Sequence, residues 1–164
     1  ALGDRQAFAR VWVHGYRKSH LRQRMENLYP FDATRLDDAA MARFDQLLTG
    51  KRITNVIGYA SFLTAFADYL AYGKGKQGRY ALRSVLTISE HLPAQAREKL
   101  TTYLHCPVNS QYSNEENGVM AIQTGGEEYY VDSSGWHMEI LKLDCDEPAA
   151  DGELGRIVIT DLYN

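Results

Sequence analysis

Hydrophobic residues between positions 1 and 118 recur with two alternating periods, that of a strand and that of a helix. The strand pattern is found in residues 6–13, 53–57, 81–88 and 107–111. The helix pattern is found in residues 19–29, in a stretch that begins after Asp37 or Asp38 and ends at Gly50, in a stretch that begins at 61, and in residues 93–103. Strands that alternate with helices are typical of a parallel sheet flanked by helices, so the pattern predicts an α/β fold for residues 1–118.

Residues at the ends of the predicted helices support these boundaries. Asp37 or Asp38 is expected to cap the second helix, because either carboxylate can accept hydrogen bonds from free backbone N–H groups. Gly50 is expected to end that helix. Pro93 is expected in the first turn of the last helix, where its missing N–H costs nothing.

The pattern changes after residue 118. Strands are predicted over 120–123, 129–131, 137–143 and 156–162, joined by turns rich in Gly and Asp and with no helix between them. This order is typical of an antiparallel meander. We therefore predict two parts of one domain: an α/β part over residues 1–118 that carries the ligand-binding loops, and an antiparallel β segment over residues 119–164.

Composition narrows the class of protein. The chain has 164 residues, of which 45% are hydrophobic and 24% charged, as in one ordinary globular domain. The net charge is -3 and no block of Lys and Arg occurs, which argues against nucleic acid as a partner. No apolar run approaches the ~18 residues that span a bilayer, so no membrane partner is expected. Cys106 and Cys145 lack zinc-site spacing, and a reduced, cytoplasmic setting is predicted.

Three polar segments follow predicted strands, namely 58–61, 87–90 and 112–118. Ligands of open parallel sheets bind beyond the carboxyl ends of the strands, so these segments are the candidate binding loops. Segment 112–118 is the densest polar cluster of the chain and lies between two apolar strands. Two interpretations remain open for it: a ligand-binding loop, or a solvated acidic connection.

Other chemical signals are weaker. No two histidines have the spacing of a metal-binding helix, and no GxSxG nucleophile motif is present. Cys106 directly follows His105, and neighbouring side chains of an extended segment point apart, which argues against a Cys–His pair. Segment 73–78 contains three glycines and two lysines but lacks the GxxxxGK[ST] order, so a flexible surface loop is favoured over a phosphate-binding loop.

Four segments in order resemble the adenylate-forming ligases, most closely their phenylacetate–CoA ligase and capsular-polysaccharide (CapK-type) branch. Segment 112–118, Tyr-Ser-Asn-Glu-Glu-Asn-Gly, is similar to the Tyr-Gly-x-Thr/Ser-Glu motif of that superfamily. Segment 152–164 is similar to its Gly-Glu-x-Gly-x-(Ile/Leu)-Val-(hydrophobic)-Thr-x-Leu segment. Segments 57–63 and 88–92 resemble two pocket segments that precede these in the family.

The resemblance implies that the chain is a middle fragment of the large N-terminal domain of such a ligase. The family's phosphate loop would precede Ala1, and both its ribose-binding Asp segment and its catalytic Lys domain would follow Asn164. No catalytic residue is therefore assigned within the chain, and we expect the isolated fragment not to form an acyl-adenylate.

The resemblance also implies which residues bind ATP and Mg²⁺. The residues assigned to the nucleotide are Ser89, Glu90, Tyr112 and Ser113. The Tyr112 ring would lie on adenine, and Glu116 would bind the Mg²⁺ that neutralises the phosphates. These residue types suit the chemistry, since magnesium prefers carboxylate oxygens and an aromatic face stacks on a flat base.

The remaining assignments concern the acyl group. Gly58, Tyr59 and Ala60 would border the pocket for a small carboxylic acid, with CoA or another acyl acceptor as a further partner. Glu115 departs from the family pattern, which usually has a small hydroxyl or amide residue at this position. A second carboxylate would repel phosphate unless it turns away or shares the metal.

Three hypotheses for the function follow. The first is a fragment of an ATP-dependent carboxylate-activating ligase. The second is a non-catalytic nucleotide- or acyl-binding module of the same fold. The third is an assembly module, since sheet edges without a neighbour favour pairing with another chain, including a homo-oligomer.

Overall fold

A computed structural model of the protein describes residues 3–12, 19–75 and 80–163. Its strands are β1 (Gln6–Arg10), β2 (Leu28–Asp32), β3 (Asn55–Tyr59), β4 (Ser84–Ile88), β5 (Val108–Asn114), β6 (Gly118–Thr124), β7 (Tyr129–Val131), β8 (Trp136–Lys142) and β9 (Gly155–Asp161). Its helices are α1 (His20–Met25), α2 (Asp38–Gly50), α3 (Ala60–Ala71) and α4 (Ala94–Leu104). Val13 of the predicted first strand and Lys76–Gly78 of the predicted loop lie outside the described residues.

A seven-stranded sheet with the order β2-β1-β3-β4-β5-β6-β7 forms the centre of the fold. The pairs from β2 to β5 are parallel, whereas β6 and β7 add to the sheet antiparallel. The predicted α/β fold class is therefore confirmed. The strands predicted after residue 118 are divided between two sheets, because β6 and β7 extend the central sheet and β8 pairs with β9 alone. The two-part division at residue 118 stays a prediction, and this boundary falls at the start of β6.

One face of the parallel strands is buried against helices. Side chains alternate between buried and half-buried along β1 and β3, as the two-residue period of a strand requires. The buried side chains contact α2, α3 and α4 in one hydrophobic core. Small residues allow close packing here: a Cβ at Gly58 would lie 3.0 Å from the carbonyl oxygen of Ala9 and 3.1 Å from its Cβ.

An aromatic cluster fills the core between α2, α3 and the β2 side of the sheet. The ring of Phe44 lies 4.9 Å from that of Phe31 and 5.0 Å from those of Phe62 and Phe66, measured between centroids. The contacts of Phe44 with Phe62 and Phe66 are edge-to-face at 83°, an orientation that aromatic quadrupoles favour. Phe44, Phe62 and Phe66 are fully buried. This cluster fixes α3, and with it the helix terminus that lies beside the candidate site.

The helix boundaries confirm some predictions and correct another. Asp37 caps α2, with its Oδ1 accepting a hydrogen bond from Ala40 N at 2.9 Å. This bond is the main cause of a lowered pKa of the Asp37 carboxyl, and the Arg35 guanidinium lowers it further. The helix predicted over 19–29 is wrong in its second half, because α1 ends at Met25 and residues 28–32 form β2. β2 is an edge strand paired only with β1, and there Pro30 removes no hydrogen bond that the sheet needs.

None of the helices in the described ranges is long and apolar enough to cross a membrane.

The two cysteines differ in environment, and this difference predicts their reactivity. Cys106 is 5% exposed, and burial raises the pKa of its thiol from 9.0 to about 11, whereas Cys145 is exposed. At about pH 8, the exposed Cys145 is expected to react with a thiol reagent faster than Cys106, which is buried and whose thiolate is about 100-fold rarer in the folded protein than in the unfolded chain. Ellman's assay on Cys106→Ala and Cys145→Ala variants measures each thiol separately.

The raised pKa of Cys106 also makes the stability of the folded protein depend on pH. The folded protein holds the thiol proton more tightly than the unfolded chain, so the stabilisation is complete below pH 9 and is lost as the pH rises through about 11. Rapid reaction of Cys106 in the folded chain, at the rate seen in denaturant, would contradict both expectations.

Candidate functional site

The carboxyl ends of β3, β4 and β5 lie side by side at one edge of the sheet. β4 pairs with β3 on one side and with β5 on the other, all in parallel. The chain continues from these ends into the start of α3, the loop over residues 89–93 and the β5–β6 hairpin. The three polar segments found in the sequence therefore meet at the edge where parallel sheets bind ligands.

A cavity of about 320 Å³ opens at this edge. Its walls come from the loop after β4, from the end of β5 and from β7, and its lining residues are Ser89, Glu90, His91, Gln111, Tyr112, Ser113 and Tyr129. The four residues assigned to the nucleotide by resemblance all line this one cavity. This cavity, at the carboxyl ends of β4 and β5, is the first cavity.

The loop after β4 turns sharply at Ser89. The backbone of Ser89 has φ 65, in the left-handed region that a residue with a side chain seldom adopts. Such conformations persist where the surrounding structure imposes them, and they occur often at binding sites. Ser89, Glu90 and His91 all line the first cavity as a result of this turn.

Glu90 joins this loop to the start of α3. The helix begins after Tyr59, which supplies no side-chain cap, and Glu90 Oε2 accepts a hydrogen bond from Ser61 N at 2.7 Å. The carboxylate thus satisfies one of the free N–H groups of the first helical turn and lies at the positive end of the helix dipole. This bond holds the loop after β4 to the start of α3, although the two residues are 29 positions apart in sequence.

A second cavity of about 420 Å³ lies on the other side of Glu90. It shares Glu90 and His91 with the first cavity, and its other walls include Ala60, Thr64 and Pro93. Asp68, at its rim, is paired with Lys99 of α4 at 2.7 Å. Glu90 therefore lies between the two cavities, and the accessible surface of the second cavity is mainly apolar although polar side chains are among its lining residues.

The three residues assigned to the acyl pocket are placed differently from one another. Gly58 is buried within β3, and Tyr59 ends that strand. Ala60 is the first residue of α3 and lines the second cavity, whereas neither Gly58 nor Tyr59 lines either cavity. Of this predicted set, Ala60 is the member that lines one of these two cavities.

β5 is longer than the sequence pattern predicts. The strand continues through Asn114, so Tyr112 and Ser113 lie in a strand and not in the predicted loop. The ladder to β6 slips by one residue after Tyr112, which faces Ala121, whereas Ser113 faces Val119. A bulge of this kind increases the local twist and re-aims side chains. Tyr112, which is 41% exposed, keeps its ring accessible beside the bulge.

Glu115 and Glu116 lie in the turn between β5 and β6, and neither lines the first cavity. Both side chains are exposed, and the turn is closed by Asn117 N, which donates to Asn114 Oδ1 at 2.7 Å. The described residues contain no group of three or more His, Cys, Asp or Glu side chains that could hold a metal by themselves. A single carboxylate fits Mg²⁺ shared with substrate phosphates and water, the usual arrangement for this ion, and does not fit an all-protein cage.

His91, Gln111 and Tyr129 also line the first cavity, although no role is predicted for them from the sequence. His91 lies within the pocket segment 88–92, and Gln111 directly precedes segment 112–118. Tyr129 comes from β7 and reaches the cavity only through the pairing of β7 with β6. No local pattern of residues signals such a placement.

Comparison with solved structures shows that ligases share this fold. The chain is similar to 2-hydroxyisobutyryl-CoA ligase in complex with 2-HIB-AMP and CoA, with a TM-score of 0.73 and 15% identity over 98% of this chain and 36% of that chain. It is also similar to a benzoate CoA ligase from Burkholderia xenovorans LB400, with a TM-score of 0.68 and 18% identity over 98% and 35% of the two chains. A third similar structure is apo MatB from Rhodopseudomonas palustris, with a TM-score of 0.58 and 13% identity over 96% and 32%.

These similarities concern the fold. No protein-family model matches the chain, and no curated protein matches its sequence. The chain spans about a third of the length of the three solved ligase-fold structures. The predicted α/β fold is therefore shared with these solved structures, at a sequence identity of 13% to 18%.

Proposed function

We propose that the chain is part of an ATP-dependent ligase that activates a small carboxylic acid as its acyl-adenylate and transfers the acyl group to CoA or another acceptor. The observation that carries this proposal is the first cavity, where the four nucleotide residues assigned by resemblance lie together at the carboxyl edge of the sheet. The fold of the similar ligases, one of them solved with an acyl-AMP and CoA, supports it. The form of the Tyr112 motif favours the phenylacetate–CoA ligase and CapK-type branch.

The chemistry of the first cavity suits the base and ribose of a nucleotide more than its phosphates. The accessible Tyr112 ring offers a stacking surface for adenine. The Glu90 carboxylate would repel a phosphate, but it can accept a hydrogen bond from the adenine amino group. The hydroxyls of Ser89 and Ser113 are further partners for polar atoms of the ligand.

The phosphates would then extend toward the β5–β6 turn, where we propose that Glu116 holds Mg²⁺. The ion would supply the charge neutralisation that triphosphate chemistry requires. On the other side of Glu90, the mainly apolar surface of the second cavity, to which Ala60 contributes, supports a role for this cavity in binding the acyl group. The metal assignment rests on the resemblance of segment 112–118 to the ligase motif, and the acyl assignment rests on this surface.

Binding of AMP is the direct test of this proposal. Isothermal titration of the chain with AMP and with ATP, each with and without Mg²⁺, is expected to show binding, with Mg²⁺ strengthening the binding of ATP only. Tyr112→Ala is expected to weaken AMP binding by about 5–150-fold, because stacking of a base on an aromatic ring contributes about 1–3 kcal/mol.

Tyr130→Ala is the matched control for this test, since Tyr130 is 64% exposed and does not line the first cavity. Absence of AMP binding, or equal affinities for the wild type and Tyr112→Ala, would contradict the proposed nucleotide site. The 164 residues alone are expected to bind without forming an acyl-adenylate, which a pyrophosphate-release assay with aryl and alkyl acids can check.

Assembly through the sheet edge is the second candidate function, and β7 is the observation that favours it. All three residues of this edge strand, Tyr129–Val131, are exposed. An exposed edge presents unpaired backbone groups to another chain, including a second copy of this one. Self-association in sedimentation, without any binding of AMP or ATP, would favour assembly over the ligase proposal.

A further inference from the structure

Tyr129 brings a second phenol ring to the first cavity from a strand outside the motif. Tyr129 pairs with Gln123 of β6, and Gln123 pairs with Ser110 of β5, so the three residues form one row across the sheet. Tyr112 follows Ser110 by two residues and therefore lies on the same face of β5. Both tyrosines line the cavity.

The ring of Tyr129 is anchored at its far end. Its hydroxyl donates a hydrogen bond to Ser110 Oγ at 3.2 Å, so the side chain lies across β6. Ser110 is fully buried, whereas Tyr129 is 38% exposed. The hydroxyl is thus held at the sheet while part of the ring stays open to the cavity.

The turn that leads into β7 is also fixed. The Arg97 guanidinium of α4 donates hydrogen bonds to the carbonyl oxygen of Val108 and to Oε1 of Gln123. Gln123, which is 6% exposed, donates from Nε2 to the carbonyl oxygen of Glu127 at 2.9 Å. This network connects α4 and β5 to the turn before Tyr129. A ring that is already ordered loses little freedom when a ligand binds.

We infer that Tyr129 contacts the base of the bound nucleotide and acts, together with Tyr112, as a second aromatic wall that determines preference for a flat base. This inference rests on the proposed nucleotide site and assigns to it a residue outside the motif. A purine base offers π-faces and edges to more than one aromatic ring, and each such ring adds to affinity without contacting the phosphates.

The test compares a ligand that has a base with one that lacks it. Tyr129→Ala is expected to weaken the binding of AMP by about 5–150-fold and to leave the binding of ribose 5-phosphate, measured by competition, unchanged. Tyr129→Phe keeps the ring and is expected to retain most of the affinity, whereas Tyr129→Leu keeps apolar volume without a π-face and is expected to behave like Tyr129→Ala. Tyr130→Ala, on the neighbouring residue, is expected to bind as the wild type does.

The outcomes separate this inference from the function on which it rests. If Tyr112→Ala weakens AMP binding and Tyr129→Ala does not, the nucleotide site stands and the role of Tyr129 is refuted. Equal losses for AMP and ribose 5-phosphate would also refute it, because they indicate a general disturbance of the site. If the wild type binds no AMP, the proposed function fails and the inference fails with it. Thermal unfolding of each variant verifies that the fold is intact.

Discussion

In the complete ligase that we propose, Glu116→Gln is expected to slow magnesium-dependent adenylation by about 10–1000-fold, of order 1–4 kcal/mol at the transition state. The amide keeps the shape of the side chain and removes the charge that would hold Mg²⁺. The expectation rests on the motif, because Glu116 lies four residues after Tyr112, as the metal-binding Glu of the family does. Adenylate formation measured over a range of Mg²⁺ concentrations tests it, and the loss should be largest at low Mg²⁺.

Glu115→Gln is the matched control for this substitution. Both glutamates are exposed, carry the same charge and lie in the same turn between β5 and β6. Glu115→Gln is expected to cost much less, and removal of a carboxylate that repels phosphate could increase the rate. If Glu115→Gln abolishes adenylation while Glu116→Gln stays active, the motif register is off by one residue and the metal assignment is wrong.

Phe44→Ala is expected to lower the free energy of unfolding by about 3–5 kcal/mol. Phe44 is fully buried and contacts the rings of Phe31, Phe62 and Phe66, so its removal leaves a cavity at the centre of the aromatic cluster. Urea unfolding followed by circular dichroism measures the change, with the midpoint lowered and the slope unchanged.

Two further variants make this measurement decisive. Tyr163→Ala also removes a ring, but Tyr163 is 85% exposed, and the expected change is within about 0.5 kcal/mol. Phe44→Leu keeps apolar volume and is expected to fold even if Phe44→Ala does not, with an intermediate loss. Equal stabilities of Phe44→Ala and Tyr163→Ala would contradict the role of the aromatic cluster.

Much of the parallel sheet could be predicted because its information is local. Alternation over 53–57 and helical spacing in the stretch that precedes Gly50 each concern neighbouring residues, and the Asp37 cap needs only the first turn of its own helix. The strand over residues 28–32 was missed because Leu21, Met25 and Leu28 have helical spacing. Leu21 and Met25 prove to be 71% and 76% exposed, so this spacing marks no buried face.

The candidate site could be predicted only where it is built from contiguous segments. Ser89, Glu90, Tyr112 and Ser113 belong to two short segments at the carboxyl ends of adjacent parallel strands, and both segments are identifiable in the sequence. Tyr129 depends on the order of strands in the sheet, which no local period encodes. The extension of β5 through Asn114 depends likewise on its partner β6, because pairing stabilises a polar segment as a strand.

The position of Glu90 between the two cavities affects how any substitution there must be interpreted. Glu90→Ala would remove a charge from the ligand side and at the same time leave Ser61 N, in the first turn of α3, without its partner. A single binding constant for that variant would therefore combine two free-energy changes. Glu90→Gln retains an oxygen that can accept from Ser61 N, so the difference between the Gln and Ala variants reports the helix contact, and the difference between wild type and Gln reports the charge.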